Sequence, residues 1–177
     1  MDDAVPTSEN YKWLQKYWPN NIHYQSDVVT NKNGKNAVMV VALDNSTARY
    51  RQEEIYTNLK ADLEKARKDK VPVLIFQHIP ISNGTSDITN GLLIPTLEHS
   101  NANSCGGVNA TDDLTSRVYS LITDNADIIK GVFAGHEHEY FYNEINGTGK
   151  AKGSTIPQHI CPSAIYGDGY IMKININ

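Results

Sequence analysis

Three short apolar runs limit what this chain can become: Ala37–Leu43, Val71–Phe76 and Ile128–Ala134. Each has the length of a strand, and the first is apolar on both faces, so it belongs in the interior of a sheet covered on both sides. A fold of the α/β class supplies that cover, and such folds place their chemistry just beyond the strands' carboxyl ends. Two of the three runs hand a histidine to that edge. The run at Ile128 stops at Gly135 and delivers His136 and His138, and the run at Val71 ends Gln77-His78-Ile79-Pro80.

The His-x-His spacing has a physical meaning. Residues i and i+2 of extended backbone point the same way, roughly 7 Å apart, so His136 and His138 are spaced to ligate two different ions of a close pair. Gly135, without a Cβ, is expected to let the backbone turn sharply next to a ligand. His99 has no neighbour at ligand spacing and reads as a surface residue, and His159, at the end of a possible strand, is given no role.

Between the strands the pattern is helical. Arg49–Lys68 buries a stripe of Ile55, Leu59, Leu63 and Ala66, with acids at its start and bases at its end, as the helix dipole favours. Asp44 and Ser46 are expected to shape the preceding turn and cap this helix. A second helix is expected from a Thr111–Asp113 cap to Thr123, and a short one over Glu9–Trp18. Asn33-Gly34 is the strongest hairpin signal, joining Ile22–Thr30 to Asn36–Leu43. Tyr140–Ile145 is expected to pair with Thr155–Ile160, and Ser163–Tyr166 with Tyr170–Ile176. The polar stretch 82–110 is a long loop, expected as a flap on the substrate side.

Leu43-Asp44-Asn45-Ser46, then Gln52, then Phe76-Gln77-His78-Ile79-Pro80, then Gly135-His136-Glu137-His138 succeed one another in an order and spacing that resemble the second half of the calcineurin-like metallophosphoesterases, the family of purple acid phosphatases and many bacterial phosphodiesterases. The resemblance runs from about Val38 onward. It implies a partial sandwich of mixed β-sheets flanked by helices, and hydrolysis of a phosphomonoester or phosphodiester by a metal-bound hydroxide. It implies that His78 and His136 ligate one ion and His138 the other, the ions being divalent Zn, Mn or Fe.

The family's first half carries an Asp-x-His element, a metal-bridging Gly-Asp element and a Gly-Asn-His element, and none of them precedes the matching pieces here. The opening Met1–Pro6 resembles the residues just after the family's Gly-Asn-His, so residues 1–177 read as a single domain that is the C-terminal portion of such a fold. Three neutral imidazoles then offset little of the charge of two cations. The expectation is none or one weakly held ion and poor hydrolysis by this chain alone, with the strands at Val38 and Val73 left with open edges. Open edges favour a homo-oligomer or pairing with the missing N-terminal half. A non-catalytic binding module that keeps the fold is the alternative, and a single-metal protein using His78, His136 and His138 a third.

A net charge of −4 gives no basic footprint for nucleic acid or an anionic membrane. No run is long and apolar enough to span a bilayer, and no signal peptide is present in this stretch. Asn-x-Ser/Thr sequons at Asn45, Asn83, Asn109 and Asn146 favour an extracytoplasmic location. Cys105 and Cys161 suit either one disulfide or two free thiols.

Overall fold

The computed structural model describes residues 12, 16, 23–45, 50, 52–81, 88–89, 92–93, 113–136, 140–162 and 172–175. Its centre is a mixed six-stranded sheet: β1 (Tyr24–Thr30), β2 (Asn36–Leu43), β3 (Val73–Gln77), β6 (Ile129–Ala134), β7 (Phe141–Asn146) and β8 (Thr155–Ile160). The order across it is β1-β2-β3-β6-β8-β7. The middle strands β2, β3, β6 and β8 run parallel, and the two outer strands are antiparallel to their neighbours. A separate two-stranded ladder pairs β4 (Ile88–Thr89) with β5 (Leu92–Leu93). This is an α/β arrangement, as the apolar runs demand.

Helices α1 (Glu53–Asp69) and α2 (Asp113–Thr123) cover one face. Ile55, Leu59, Leu63 and Ala66 of α1 and Val118 and Ile122 of α2 share a single core with Met39, Val41, Val73, Ile75 and Val132. That set comes from strand alternation: every second residue of β2 and β3 points at the helices. The helices are joined at their exposed ends by Arg117, which pairs with Glu53 at 2.5 Å and lies 4.2 Å from the ring centroid of Tyr56. Helix α1 stops at Lys70, whose left-handed φ of 56° lets its N–H reach back to Ala66 and Arg67, a position that glycine usually fills.

Several expectations shift. Helix α1 starts at Glu53 rather than Arg49, with Gln52 before it and no side-chain cap. The Asp44 carboxylate is paired with the imidazole of His23 at 2.6 Å, and Ser46, the other expected cap, lies outside the described residues. The strands at Val38 and Val73 have no open edges: β2 lies between β1 and β3, and β3 between β2 and β6. The hairpin through Asn33-Gly34 closes the first, and the parallel return through α2 closes the second. The β7–β8 pairing is as expected, but its connection is an eight-residue loop, 147–154, with a 3-10 turn at Gly149–Ala151.

Of the first expected helix, Lys12 and Lys16 are described, both helical. Met172–Asn175 forms no strand. It lines a cavity with residues of the sheet, so its alternating pattern serves a segment laid over a face and not one in the ladder. Cys161 carries a free thiol, and Cys105 lies outside the described residues. No described helix is long and apolar enough to cross a membrane.

Arg67 near the end of α1 grips Asp127 with two nitrogens at 2.6 and 2.7 Å, just before β6 begins. The hydrogen bonds from Arg67 hold the Asp127 carboxyl below its ordinary value of 3.8. A carboxylate depressed by folding contributes stability above its ordinary pKa and loses it as pH falls through the lower folded value. Both heads are more than a third exposed, which limits the contribution to about 0.5–1 kcal/mol. Asp127→Asn should therefore cost about that much in urea unfolding at pH 7, and the cost should shrink as pH falls below 3.8 and the folded carboxylate takes up its proton.

Candidate metal centre

The four parallel strands end at one edge of the sheet, at Leu43, Gln77, Ala134 and Ile160. The residues just past those ends are gathered there: Asp44 and Asn45 after β2, His78 after β3, Gly135 and His136 after β6. The structure thus brings His78 and His136, 58 residues apart in sequence, to an Nε2···Nδ1 separation of 3.3 Å. Their rings stand nearly perpendicular, at 81°, with centroids 5.1 Å apart. Both are half-buried. His138 lies outside the described residues, so the third expected ligand has no position here.

His136 is aimed by its backbone. Its φ is 74°, in the left-handed region that a non-glycine residue adopts only when its surroundings impose it. The expectation that Gly135 makes the sharp turn is corrected: the left-handed residue is His136. A Cβ on Gly135 would come no closer than 3.8 Å to the His78 carbonyl oxygen. What Gly135 does supply is its N–H, donated to that same oxygen at 2.9 Å. This bond holds the two histidine-bearing turns edge to edge.

The turn after β3 is fixed by buried amides. Asn45, fully buried, accepts from the N–H of His78 at 3.1 Å and of Ile79 at 2.9 Å, and donates to the Ile79 carbonyl at 2.8 Å. Gln77 donates to the same carbonyl at 2.7 Å, and its own Oε1 accepts from the buried hydroxyl of Tyr50. Burial raises the Tyr50 phenol well above its ordinary pKa, so it remains a donor at any working pH. On the far side Gln158 both accepts from the N–H of Ile81 and donates to its carbonyl, each at 2.8 Å. Residues 78–81 are thereby held at three backbone N–H groups and two carbonyls by side chains from β2's end, β3 and β8.

The amides escape a reading that looks for titratable groups. The signal was present in alternation: Gln158 lies between Ile156 and Ile160 on the buried side of β8, and a polar residue in that register must find partners. His23 was missed too. It stands at the start of β1, and its pairing with Asp44 closes the outer corner of the same edge. The Asn45 sequon is accounted for by this network, since an amide with its Nδ2 and Oδ1 both engaged in the core has no room for a glycan on the folded chain. His159 sits on the open face of β8, stacked on Phe133 with centroids 5.5 Å apart. Most of the expected flap over 82–110 lies outside the described residues.

Among the described residues, no cluster of three or more His, Cys, Asp or Glu side chains is grouped to hold a metal. The pair that does converge brings two ring nitrogens within 3.3 Å of each other, and imidazole suits zinc, copper, iron or nickel.

No family model matches the chain, and no curated protein matches it. Among solved structures it is similar to a provisionally named 5′-nucleotidase from Staphylococcus aureus in complex with alpha-ketoglutarate. The two share 10% identity at a TM-score of 0.35, over 75% of this chain and 23% of the other. The chain therefore spans less than a quarter of that structure's length, and no function passes from one to the other at this similarity.

Two substitutions separate the roles assigned here. Gly135→Ala should change stability by less than about 0.5 kcal/mol, because the added methyl meets only ordinary contacts. Asn45→Ala should cost at least about 2 kcal/mol by urea unfolding, because it orphans two buried N–H groups. Equal losses from both would contradict the assignment.

Proposed function

We propose that His78 and His136 hold a transition-metal ion at the carboxyl edge of the sheet, and that this centre serves hydrolysis of phosphoesters. The observation that carries the metal is the 3.3 Å between His78 Nε2 and His136 Nδ1. That is long for an N–H···N hydrogen bond. It matches the spacing of two ligand atoms on one ion: nitrogens about 2.0–2.1 Å from a tetrahedral centre stand about 3.3–3.4 Å apart. The donor chemistry agrees, since neutral imidazoles bind such ions without needing a carboxylate.

The phosphoester half of the proposal is supported by the ordered Asn45, Gln77-His78 and Gly135-His136-x-His138 elements, which resemble those of the calcineurin-like metallophosphoesterases. An ion held there would neutralise phosphoryl oxygens and lower the pKa of a bound water. The chain's own residues do the positioning. Asn45 and Gln158 fix the turn that carries His78, the Gly135 N–H ties the second turn to it, and the left-handed His136 directs its imidazole back toward His78. His138 is the proposed next donor, from its spacing alone. Neutral imidazoles carry no charge to offset the repulsion of two close cations, so the proposal for this chain is one ion and slow turnover.

Equilibrium dialysis against Zn²⁺ or Mn²⁺ tests it. The chain should take up about one ion, His78→Ala and His136→Ala should each weaken binding by more than roughly the tenfold typical of an outer-shell change, and acid should release the ion as the imidazoles protonate. Hydrolysis of p-nitrophenyl phosphate and its diester, followed in parallel, should be slow and should disappear in both variants. Uptake unaffected by either substitution would overturn the proposal.

A further inference from the structure

The face of the sheet turned away from the helices is built from the other half of each strand's alternation. Val38, Leu74 and Phe133 form a separate buried cluster there, with Val40 and Phe76 packed against it. Three rings from neighbouring strands stand in a row: Phe76 and Phe133 are stacked at 4.9 Å, and Phe133 and His159 at 5.5 Å and within 9° of parallel. Tyr142 closes the row, 5.2 Å from His159. Beside it lies a cavity of about 580 Å³, within the size range of small-molecule sites.

Its floor is apolar, formed by Val38, Leu74, Phe133 and Pro157, and the segment Met172–Asn175 makes its other wall. Met172 and Ile174 remain 40% and 39% exposed, so two large apolar side chains stand half-open to solvent at the cavity. Among the described residues its ionisable lining is Lys130, Lys173, His159 and Tyr140, with no carboxylate, although the chain as a whole has 20 acidic against 16 basic residues. The Lys130 ammonium is anchored on the Asp127 carbonyl at 2.6 Å, which holds its charge near the rim. An apolar slot with aromatic rings at its base and two lysine ammonium groups on its described lining selects for charge as well as shape.

We propose that this cavity binds a small anionic amphiphile, a molecule with a flat apolar body and one carboxylate or sulfonate, its body against Phe133 and Leu74 and its acid between Lys130 and Lys173. The site is distinct from the histidine pair and does not depend on a metal. The probes are 1-anilinonaphthalene-8-sulfonate and its uncharged analogue N-phenyl-1-naphthylamine, followed by fluorescence at low salt. The sulfonate should saturate at one per chain and bind at least fivefold tighter than the neutral analogue. Reversing both lysines, Lys130→Glu with Lys173→Glu, should weaken the sulfonate about tenfold and leave the neutral probe within twofold. Ile174→Asp, on a half-exposed side chain and so without cost to the core, should weaken both. Near-UV circular dichroism checks that each variant keeps its packing.

Non-saturating fluorescence, equal affinity for the two probes, or binding indifferent to Ile174→Asp would overturn the proposal. So would a chain that elutes as a dimer, fails to bind either probe, and becomes monomeric in Ile174→Asp, because a second copy would then fill the face.

Discussion

The carboxamide of Asn45 is the interaction on which the described site depends. It leaves the end of β2 and satisfies three backbone groups of the turn after β3, so two parallel neighbours are locked together just where the chain exits the sheet. A buried N–H or carbonyl without a partner costs about 1–3 kcal/mol, and this turn has several. Asn45, Gln77 and Gln158 answer that cost together. The result is a histidine whose main chain has little freedom to move, facing a second histidine set by a left-handed backbone.

Rigidity of this kind is what a binding site needs, because ligand groups held in place before the ligand arrives lose little entropy when it does. The division of labour is clear in the sheet. On the helix side, alternate residues of β2, β3, β6 and β8 supply the main core. At the carboxyl edge, amides fix the turns that bring His78 and His136 together. On the remaining face, the other alternate residues form an aromatic row beside a cavity whose described lining includes Lys130 and Lys173. One set of strands thus serves three surfaces, each built from a different register of the same sequence.

Most of the scaffold was legible because its signals are local. The apolar runs at Ala37, Val73 and Ile128, the Asn33-Gly34 turn and the stripe Ile55, Leu59, Leu63 and Ala66 each announce an element without reference to the rest of the chain. The convergence of His78 and His136 was also legible, from two strands that each end in histidine. The features that escaped depend on non-local pairing. That Asp44 meets His23 is decided by the antiparallel return of β1. That β2 and β3 have no open edges is decided by strand order, which periodicity does not encode. Asn45 and Gln158 looked like ordinary polar residues until the turn they bond was brought beside them. That His136, not Gly135, takes the left-handed conformation is set by how the two turns meet, which local sequence does not encode.

The claim that His78 and His136 share one ion is tested most directly by X-ray absorption on the chain loaded with a single equivalent of Zn²⁺. The account predicts at least two imidazole nitrogens at about 2.0–2.1 Å, with the multiple-scattering signature of histidine rings, and loss of that signature in His136→Ala. A coordination shell of oxygen atoms alone, or a histidine signature unchanged in His136→Ala, would contradict it.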